Sequence, residues 1–256
     1  MNLYEAIYTR ASVREYLMEP LEKGILELIS QFYKELIPLF SDIETHIEIV
    51  STLEKKQQVS GLFTVKAPYY LILYSEEKEK HLLNGGYIMQ HIALFLSTRG
   101  IGSCYQGGSK KKESMDFGEN VKQVMVLAFG VPKDNYERPV LQAKRINMNE
   151  LCMYKEQPMS WLKSVLEAAR LSPSSMNQQP WRFVVYENRL HIFEKISKIK
   201  IPLLAKRNEF DFGIMIAHIM ITAEELWVDI DLIKLENIVH KQLKQKKYVI
   251  SVIPQS

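Results

Sequence analysis

The sequence predicts an α+β protein built from two similar halves, and three observations lead to this prediction. Strongly apolar runs open with Gly86 and with Gly213 (213 − 86 = 127), and each run has a histidine five residues after its glycine. Short runs rich in β-branched and aromatic residues lie on both sides of these runs, as is typical of strands. Two of the strand-like runs end at Pro132 and Pro254 (254 − 132 = 122), so similar elements recur at about half the chain length. Such self-similarity indicates internal duplication.

Each half is predicted to contain a helix, a strand, a buried helix and a final strand, and an extra strand is expected at Tyr69–Tyr74 and at Leu190–Phe193. A helix without a polar stripe must be buried on all sides, so the two apolar helices are expected at the centre, the first ending at Gly100. We place the halves at 1–150 and 151–256; a single α+β domain with two similar core helices is the alternative. The predicted elements are Leu21–Leu36, His46–Val50, Tyr69–Tyr74, the helix from Gly86, Val124–Val131, Trp161–Leu171, Trp181–Tyr186, Leu190–Phe193, the helix from Gly213, and Tyr248–Ile253.

Composition excludes several classes of protein. There are 33 Lys and Arg residues against 30 Asp and Glu, which argues against a dedicated nucleic-acid binder. The two cysteines, Cys104 and Cys152, have neither metal-ligand spacing nor the number needed for a disulfide framework. No apolar run reaches about 18 residues and no signal peptide is recognisable, so we expect a cytoplasmic protein without a membrane span. The basic stretch Lys241–Lys247 is interpreted as a solubilising edge beside the last strand.

Three segments carry residue types that suit a ligand. Arg10, Ser12 and Arg14 offer forked cationic donors and a hydroxyl to an anion, although an exposed, solvated Arg pair is an equally open interpretation. The segment Ser172–Phe183 combines two prolines, hydroxyls and three amides, and it is either a ring-reading loop or a turn anchored by Trp181.

The third segment, Arg99–Gly108, contains four glycines that let a ligand approach the backbone closely. It follows a helix, so it is not a dinucleotide fingerprint, and it lacks the Gly-Lys-Ser/Thr of a P-loop.

Together the three segments resemble the FMN-dependent nitroreductase superfamily. The resemblance rests on Arg-x-Ser-x-Arg, on Pro-Ser-Ser-x-Asn-x-Gln-Pro-Trp-x-Phe, on Gly-Ile-Gly-Ser-Cys and on the strand end at Phe129–Pro132, and it spans positions 10 to 183. It implies a nitroreductase-like fold of central buried helices and mixed sheets. Ordinary members are entwined homodimers with a flavin at each interface, so the resemblance implies a pseudo-dimer made from one chain.

The order of the motifs differs from that in ordinary family members. Here the Pro-Ser-Ser-x-Asn loop comes last, and the first half has Ile37–Asp42 in its place. The second half has Pro158–Lys163 where the Arg-x-Ser-x-Arg segment belongs. Each half therefore lacks a motif that the other retains, which predicts one intact composite site and one FMN per chain.

The resemblance implies a role for each candidate residue. Phosphate and ribityl contacts fall to Arg10, Ser12 and Arg14, with Lys144 or Arg145 joining them at the phosphate. Backbone amides near flavin N5 fall in the segment Tyr105, Gln106, Gly107 and Gly108. Ring and ribityl contacts from the other half fall to Pro173, Ser174, Ser175 and Asn177.

The implied activity is oxidoreduction, with NADH or NADPH as the electron donor and a flat small-molecule acceptor such as a nitroaromatic or a quinone. A monomer would be sufficient. No side chain is expected to act as an acid or base, because the cofactor carries the hydride chemistry. A flavin carrier without turnover, and a structural protein with a decayed site, are the alternatives. His91 and His218 are expected to be hydrogen-bonded core residues rather than metal ligands.

Overall fold

The computed structural model describes residues 1–54, 59–61, 63–113, 115–134, 137, 139–196, 202–236, 238 and 246–255. It divides into two compact units, Met1–Gln142 and Ala143–Ser256. The division falls a few residues before the boundary expected between 150 and 151. Of the basic stretch 241–247, residues 241–245 lie outside the described residues.

The first unit, in its described residues, has a four-stranded antiparallel sheet of order β1-β3-β6-β4 and a separate two-stranded ladder, β2-β5. Its elements are α1 (Leu3–Thr9), α2 (Ile25–Glu35), β1 (Thr45–Ser51), β2 (Val59–Ser60), β3 (Tyr69–Glu76), α3 (His81–Ser97), β4 (Gly102–Tyr105), β5 (Lys110–Lys111) and β6 (Val121–Gly130).

The second unit, in its described part, has a five-stranded sheet of order β10-β11-β9-β8-β7, antiparallel except for the parallel pair β7-β8. Its elements are α4 (Met148–Leu151), β7 (Cys152–Tyr154), α5 (Ser160–Leu171), β8 (Trp181–Val185), β9 (Leu190–Lys195), α6 (Pro202–Glu225), β10 (Ile230–Ile233) and β11 (Lys246–Pro254).

The two units repeat one topology. In the first unit α2 is followed by β1, β3, α3, β4 and β6; in the second, α5 is followed by β8, β9, α6, β10 and β11. The corresponding strands also lie in the same order within their sheets, β1-β3-β6-β4 and β8-β9-β11-β10. This agreement confirms the internal duplication. Strand β7 and the β2-β5 ladder are additions to the shared plan.

Both apolar helices are buried as predicted. Every residue is buried from Asn84 to Ser97 in α3 and from Phe210 to Ile219 in α6. The two histidines are hydrogen-bonded core residues: His91 Nδ1 lies 2.9 Å from the carbonyl oxygen of Tyr87, and His218 Nδ1 lies 2.8 Å from that of Ala168. Burial lowers the pKa of His91 to about 4, so the ring is neutral near pH 7.

Every predicted element is present, with differences mainly at the ends, but the sequence did not predict α1, α4, β2, β4, β5, β7 or β10. Helix α2 begins at Ile25 rather than Leu21, because Gly24 precedes it with a left-handed φ of 89°. Strands β4 and β10 lack a clear strand pattern, since β4 contains no β-branched residue and β10 contains an aspartate. Tyr105 consequently belongs to a strand, and the glycine-rich turn proper starts after it.

Candidate functional site

The Arg-x-Ser-x-Arg segment lies against the strand that leads into the glycine-rich turn. Ser12 forms a parallel bridge with Ser103, and the N–H of Val13 donates to the carbonyl oxygen of Ser103 at 3.0 Å. Glycine at position 102 permits this approach, because a Cβ there would lie 2.5 Å from Val13 Cγ2. Tyr16 holds the same segment from its C-terminal end, since its hydroxyl donates to the carbonyl oxygen of Val13 at 2.7 Å.

Arg10 is a buried cation. The residue is only 5% exposed, and its Nη1 donates to the carbonyl oxygen of Ala11 at 3.0 Å. Within the described residues no carboxylate forms an ion pair with it. Burial lowers its pKa from the usual value. Because burying an unpaired charge is costly, this guanidinium is a strong candidate for an anionic ligand.

Polar groups next to Arg10 suit the same ligand. Ser12 is half-buried and Arg14 is exposed, whereas Ser103 is buried and its hydroxyl has no hydrogen-bond partner in the described part of the chain. Arg10 and Arg14 both act electrostatically on the thiol of Cys104, so both lie close to strand β4. Burial nevertheless raises the pKa of that thiol, which makes Cys104 a poor nucleophile.

The glycine-rich turn is held from behind by the segment before β3. The N–H of Val65 donates to Gln106 Oε1 at 2.8 Å, and the hydroxyls of Thr64 and Ser109 lie 2.6 Å apart. Gly107 and Gly108 are exposed, and among the described residues neither N–H has a hydrogen-bond partner. A Cβ at either position would meet nothing within 4 Å, so the backbone here is open to close approach by a ligand.

A cavity of about 610 Å³ adjoins this turn, a volume typical of small-molecule sites. Gly61 and Thr64 line it, and a Cβ on Gly61 would lie 2.5 Å from the carbonyl oxygen of Gly108. Lys66 supplies the one cation among its lining residues, and Tyr70 forms part of the wall. Sequence reasoning missed this segment, because 59–67 carries no motif and only the fold brings it beside the turn.

In the second unit, Ser174, Ser175 and Asn177 form a strained loop after α5. Three residues of this loop, Met176, Asn177 and Gln179, have left-handed φ values of 51°, 56° and 48°. The N–H of Gln179 donates to Ser174 Oγ at 2.9 Å, and Pro173 presets the backbone just before. Strain of this kind persists only where neighbouring groups over-determine the conformation, and it is concentrated at functional sites.

Lys144 and Arg145 lie beside this loop and differ in what their side chains do. The guanidinium of Arg145 donates to the carbonyl oxygen of Leu171 at 3.0 Å and to Asn177 Oδ1 at 3.0 Å. The side-chain amide of Asn177 in turn donates to the carbonyl oxygen of Lys144 at 2.8 Å. Arg145 therefore helps to shape the loop, while Lys144 is an exposed residue.

A buried carboxylate below the loop was also missed from the sequence. Asp211 in α6 is 4% exposed, and its Oδ2 accepts the N–H of Ser175 at 2.8 Å. Burial raises the pKa of this carboxyl to about 7, although the hydrogen bond from Ser175 and the charge of Arg207 oppose the shift. The sequence does carry a signal for this group, because Asp211 is an acidic residue at the start of the apolar run of α6.

The candidate residues thus form one cluster in each unit. In the first unit, the segment with Arg10, Ser12 and Arg14 lies against β4, which leads into the glycine-rich turn. In the second, Arg145 and the backbone of Lys144 meet the Pro-Ser-Ser-x-Asn loop. The described residues contain no cluster of His, Cys, Asp and Glu suited to a metal ion. Within the same residues, no helix is both long and apolar enough to cross a membrane.

Comparisons with known proteins agree on one family. The family model described as "Putative TM nitroreductase" matches residues 2–223. A "putative nitroreductase" from Thermotoga maritima MSB8 is similar over 99% of this chain and 93% of its own, at 20% identity and a TM-score of 0.64. A nitroreductase family protein from Clostridium difficile 630 is similar over 61% of this chain and 100% of its own, at 17% identity and a TM-score of 0.50.

A nitroreductase with bound FMN from Desulfitobacterium hafniense DCB-2 is similar over 57% of this chain and 98% of its own, at 16% identity and a TM-score of 0.44. No curated protein matches the sequence. The family model covers most of the chain, and the similarity to the Thermotoga structure over 99% of this chain confirms the predicted nitroreductase-like fold. The chain belongs to the nitroreductase family that this model describes.

Proposed function

We propose that the protein is an FMN-dependent NAD(P)H oxidoreductase of nitroreductase type that reduces a flat acceptor, such as a nitroaromatic or a quinone. The observation that carries the proposal is the buried guanidinium of Arg10, which has no carboxylate partner in the described residues. A phosphate group would supply the missing negative charge, and Arg is well suited to bind it through forked hydrogen bonds.

The residues around Arg10 fit the remainder of FMN. Ser12, Arg14 and the unpartnered hydroxyl of Ser103 offer further donors to the phosphate and ribityl oxygens. The bare amides of Gly107 and Gly108 offer donors to the ring edge, and the cavity beside them offers space for a flat molecule. FMN, when bound, supplies the chemistry by accepting a hydride from NADH or NADPH and passing it on.

We further propose that the Pro-Ser-Ser-x-Asn loop of the second unit closes over the same FMN, as the resemblance implies. In this proposal Ser174, Ser175 and Asn177 contact the ring and ribityl side. Lys144 is the better candidate for the phosphate, because the guanidinium of Arg145 is already engaged by Leu171 and Asn177. The chain then holds one FMN and a monomer suffices. The two buried cysteines without a disulfide support a cytoplasmic location.

The first test asks whether flavin binds where we propose. We expect Arg14→Ala and Asn177→Ala each to weaken FMN binding, measured by quenching of flavin fluorescence. Lys23→Ala is the matched control, since it removes an exposed cation elsewhere in the first unit. Titration is expected to saturate near one FMN per chain. Unchanged affinity in either variant, or saturation at two, would count against the composite site.

A second variant separates binding from folding. A Cβ at Gly108 would meet no atom within 4 Å and the position has no left-handed φ, so we expect Gly108→Val to unfold at nearly the same temperature as the unaltered protein. The same side chain would stand between the turn and the ring, so FMN affinity should fall by at least tenfold. Equal affinity would show that the ring lies elsewhere.

The alternative function is that of a flavin carrier without turnover, and it shares every cofactor contact named above. Anaerobic addition of NADH or NADPH to the FMN-loaded protein distinguishes the two. Bleaching of the visible flavin band, followed by recovery on addition of a quinone, supports the oxidoreductase. A band that persists with both donors supports the carrier, and protein that takes up no FMN refutes both.

A further inference from the structure

The loop proposed to contact FMN is anchored from below by a charged group that the two halves do not share. Asp211 lies in buried α6, and its carboxylate accepts the N–H of Ser175 at 2.8 Å. Its counterpart at the 127-residue offset in α3 is Asn84, which is fully buried (211 − 84 = 127). The amide of Asn84 bonds both the N–H and the carbonyl oxygen of Phe40, each at 3.2 Å.

Phe40 and Ser175 are themselves equivalent. Each is the second residue after a loop proline, Pro38 in the first half and Pro173 in the second. The same contact between helix and loop therefore occurs twice. In the half that lacks the Pro-Ser-Ser-x-Asn motif the anchor is a neutral amide, and in the half that has the motif it is a carboxylate. A hydrogen bond from an N–H to a carboxylate is roughly twice as strong as one between neutral groups.

The stronger anchor coincides with the more strained loop. Met176, Asn177 and Gln179 all have left-handed backbone conformations, which L-residues adopt at a cost. Arg145 and the carbonyl oxygen of Lys144 fix the far side of the loop through Asn177. Asp211 fixes its start through Ser175. Without the second anchor, the strain could relax toward a conformation in which the binding groups no longer converge.

We propose that Asp211 is a positioning residue for the flavin, whose carboxylate holds the amide of Ser175 and so keeps residues 173–179 in the conformation that binds FMN. This inference rests on the function proposed above. Among the groups that shift the pKa of this carboxyl, Ser175 donates from the loop and Arg207 is the one charged side chain. Since that pKa is raised to about 7, the strength of the anchor should change across the neutral range.

The first test is a pH series of FMN affinity, from pH 6 to pH 8.5. In the unaltered protein we expect affinity to rise about fivefold to tenfold with pH as Asp211 ionises. Asp211→Asn keeps the shape and an acceptor oxygen but not the charge, so it should bind FMN more weakly at pH 8 and lose this rise. The FMN phosphate also titrates near pH 6, and comparison of the two proteins cancels its contribution.

Asn84→Ala is the matched control, because it removes the equivalent anchor from the loop that carries no motif. We expect it to lower stability without altering the pH dependence of FMN affinity. Identical affinities and pH profiles for the unaltered protein and Asp211→Asn would overturn the inference while leaving the proposed function intact.

Hydrogen exchange of the FMN-free protein gives a readout that does not depend on the cofactor. After correction for intrinsic exchange rates, the peptide covering 172–181 should lose protection below pH 7 in the unaltered protein. In Asp211→Asn its protection should be lower and independent of pH. Equal protection in both proteins would refute the anchor. If the unaltered protein binds no FMN at any pH, the proposed function fails, and the flavin role of Asp211 fails with it.

Discussion

The two halves end their buried helices with the same backbone turn but with different residues, which allows a sharp test of the backbone strain in that turn. The N–H of Gly100 bonds the carbonyl oxygen of Ser97, and the N–H of Trp227 bonds that of Glu224. In both halves the N–H of the next residue, Ile101 or Val228, donates to the carbonyl oxygen five residues earlier. The turn needs a left-handed residue, with φ 72° at Gly100 and φ 55° at Trp227. Glycine adopts this conformation without strain, whereas tryptophan does not.

We expect Trp227→Gly to stabilise the protein by about 1 kcal/mol. The left-handed conformation costs an L-residue about 1–2 kcal/mol. Little is lost in exchange, because the Trp227 side chain is 95% exposed. The hidden 5% of a side chain of about 250 Å² contributes only about 0.3 kcal/mol at 25 cal/mol per Å². For a chain of this length, a gain of 1 kcal/mol raises the melting temperature by about 2–4 °C.

Thermal and urea unfolding followed by circular dichroism measure this gain without depending on tryptophan fluorescence. Trp227→Ala is the decisive control, since alanine removes the indole but retains the backbone strain and should leave stability nearly unchanged. Gly100→Ala is the reverse experiment: its Cβ meets no atom within 4 Å, so the expected loss of about 1 kcal/mol arises from φ alone. Equal stabilities for Trp227→Gly and Trp227→Ala would refute the reasoning.

Three further predictions concern buried groups. The pKa of Asp211 is raised from 3.8 in the unfolded chain to about 7 in the folded protein, so folding takes up a proton between pH 3.8 and pH 7. The free energy of unfolding therefore falls by about 4 kcal/mol as the pH rises through that range. Urea titrations should therefore show Asp211→Asn increasingly more stable than the unaltered protein from pH 4 to pH 8, and a constant difference would contradict this. The pKa of His91 is lowered from 6.5 to about 4, so the protein loses about 3 kcal/mol of its free energy of unfolding as the pH falls from 6.5 to 4. His91→Gln should remove this loss from the acid unfolding curve. Gly102→Ala would place its Cβ 2.5 Å from Val13 Cγ2 and should cost about 1–3 kcal/mol in urea unfolding, whereas Gly107→Ala, with open space around its Cβ, should cost almost nothing.

The sequence was sufficient to predict the repeated order of helices and strands. The long strands are runs of β-branched and aromatic residues, and the two central helices are apolar on every side, so both kinds of element have strong patterns. Strands β4 and β10 were missed because β4 has no β-branched residue and β10 contains an aspartate, so neither is a run of strand-forming residues. Their positions depend on pairing with β6 and β11, which is a property of the fold rather than of the local sequence.

The candidate site was predictable only in part, for a similar reason. Glycines, prolines and paired arginines mark the segments from Arg10, Arg99 and Ser172 through their own chemistry. The segment that lines the cavity, around Gly61 and Thr64, has no such mark and acquires its position through contacts with Gly108 and Ser109. Asp211 was visible in principle, because alignment of the two apolar helices at the 127-residue offset pairs it with Asn84.

The differences between the halves lie in side chains, while the backbone interactions are retained. Both helix ends keep the same turn, although Trp227 takes it under strain. Both loops keep a hydrogen bond to the buried helix beneath them, although one acceptor is an amide and the other a carboxylate. In a symmetric dimer, one sequence would have to serve both sides of every site. A duplicated chain can divide these tasks, so that of the two equivalent anchors, Asn84 and Asp211, only the one under the loop where we propose that flavin binds is a carboxylate. The same division accounts for why each half can lack a motif that the other retains.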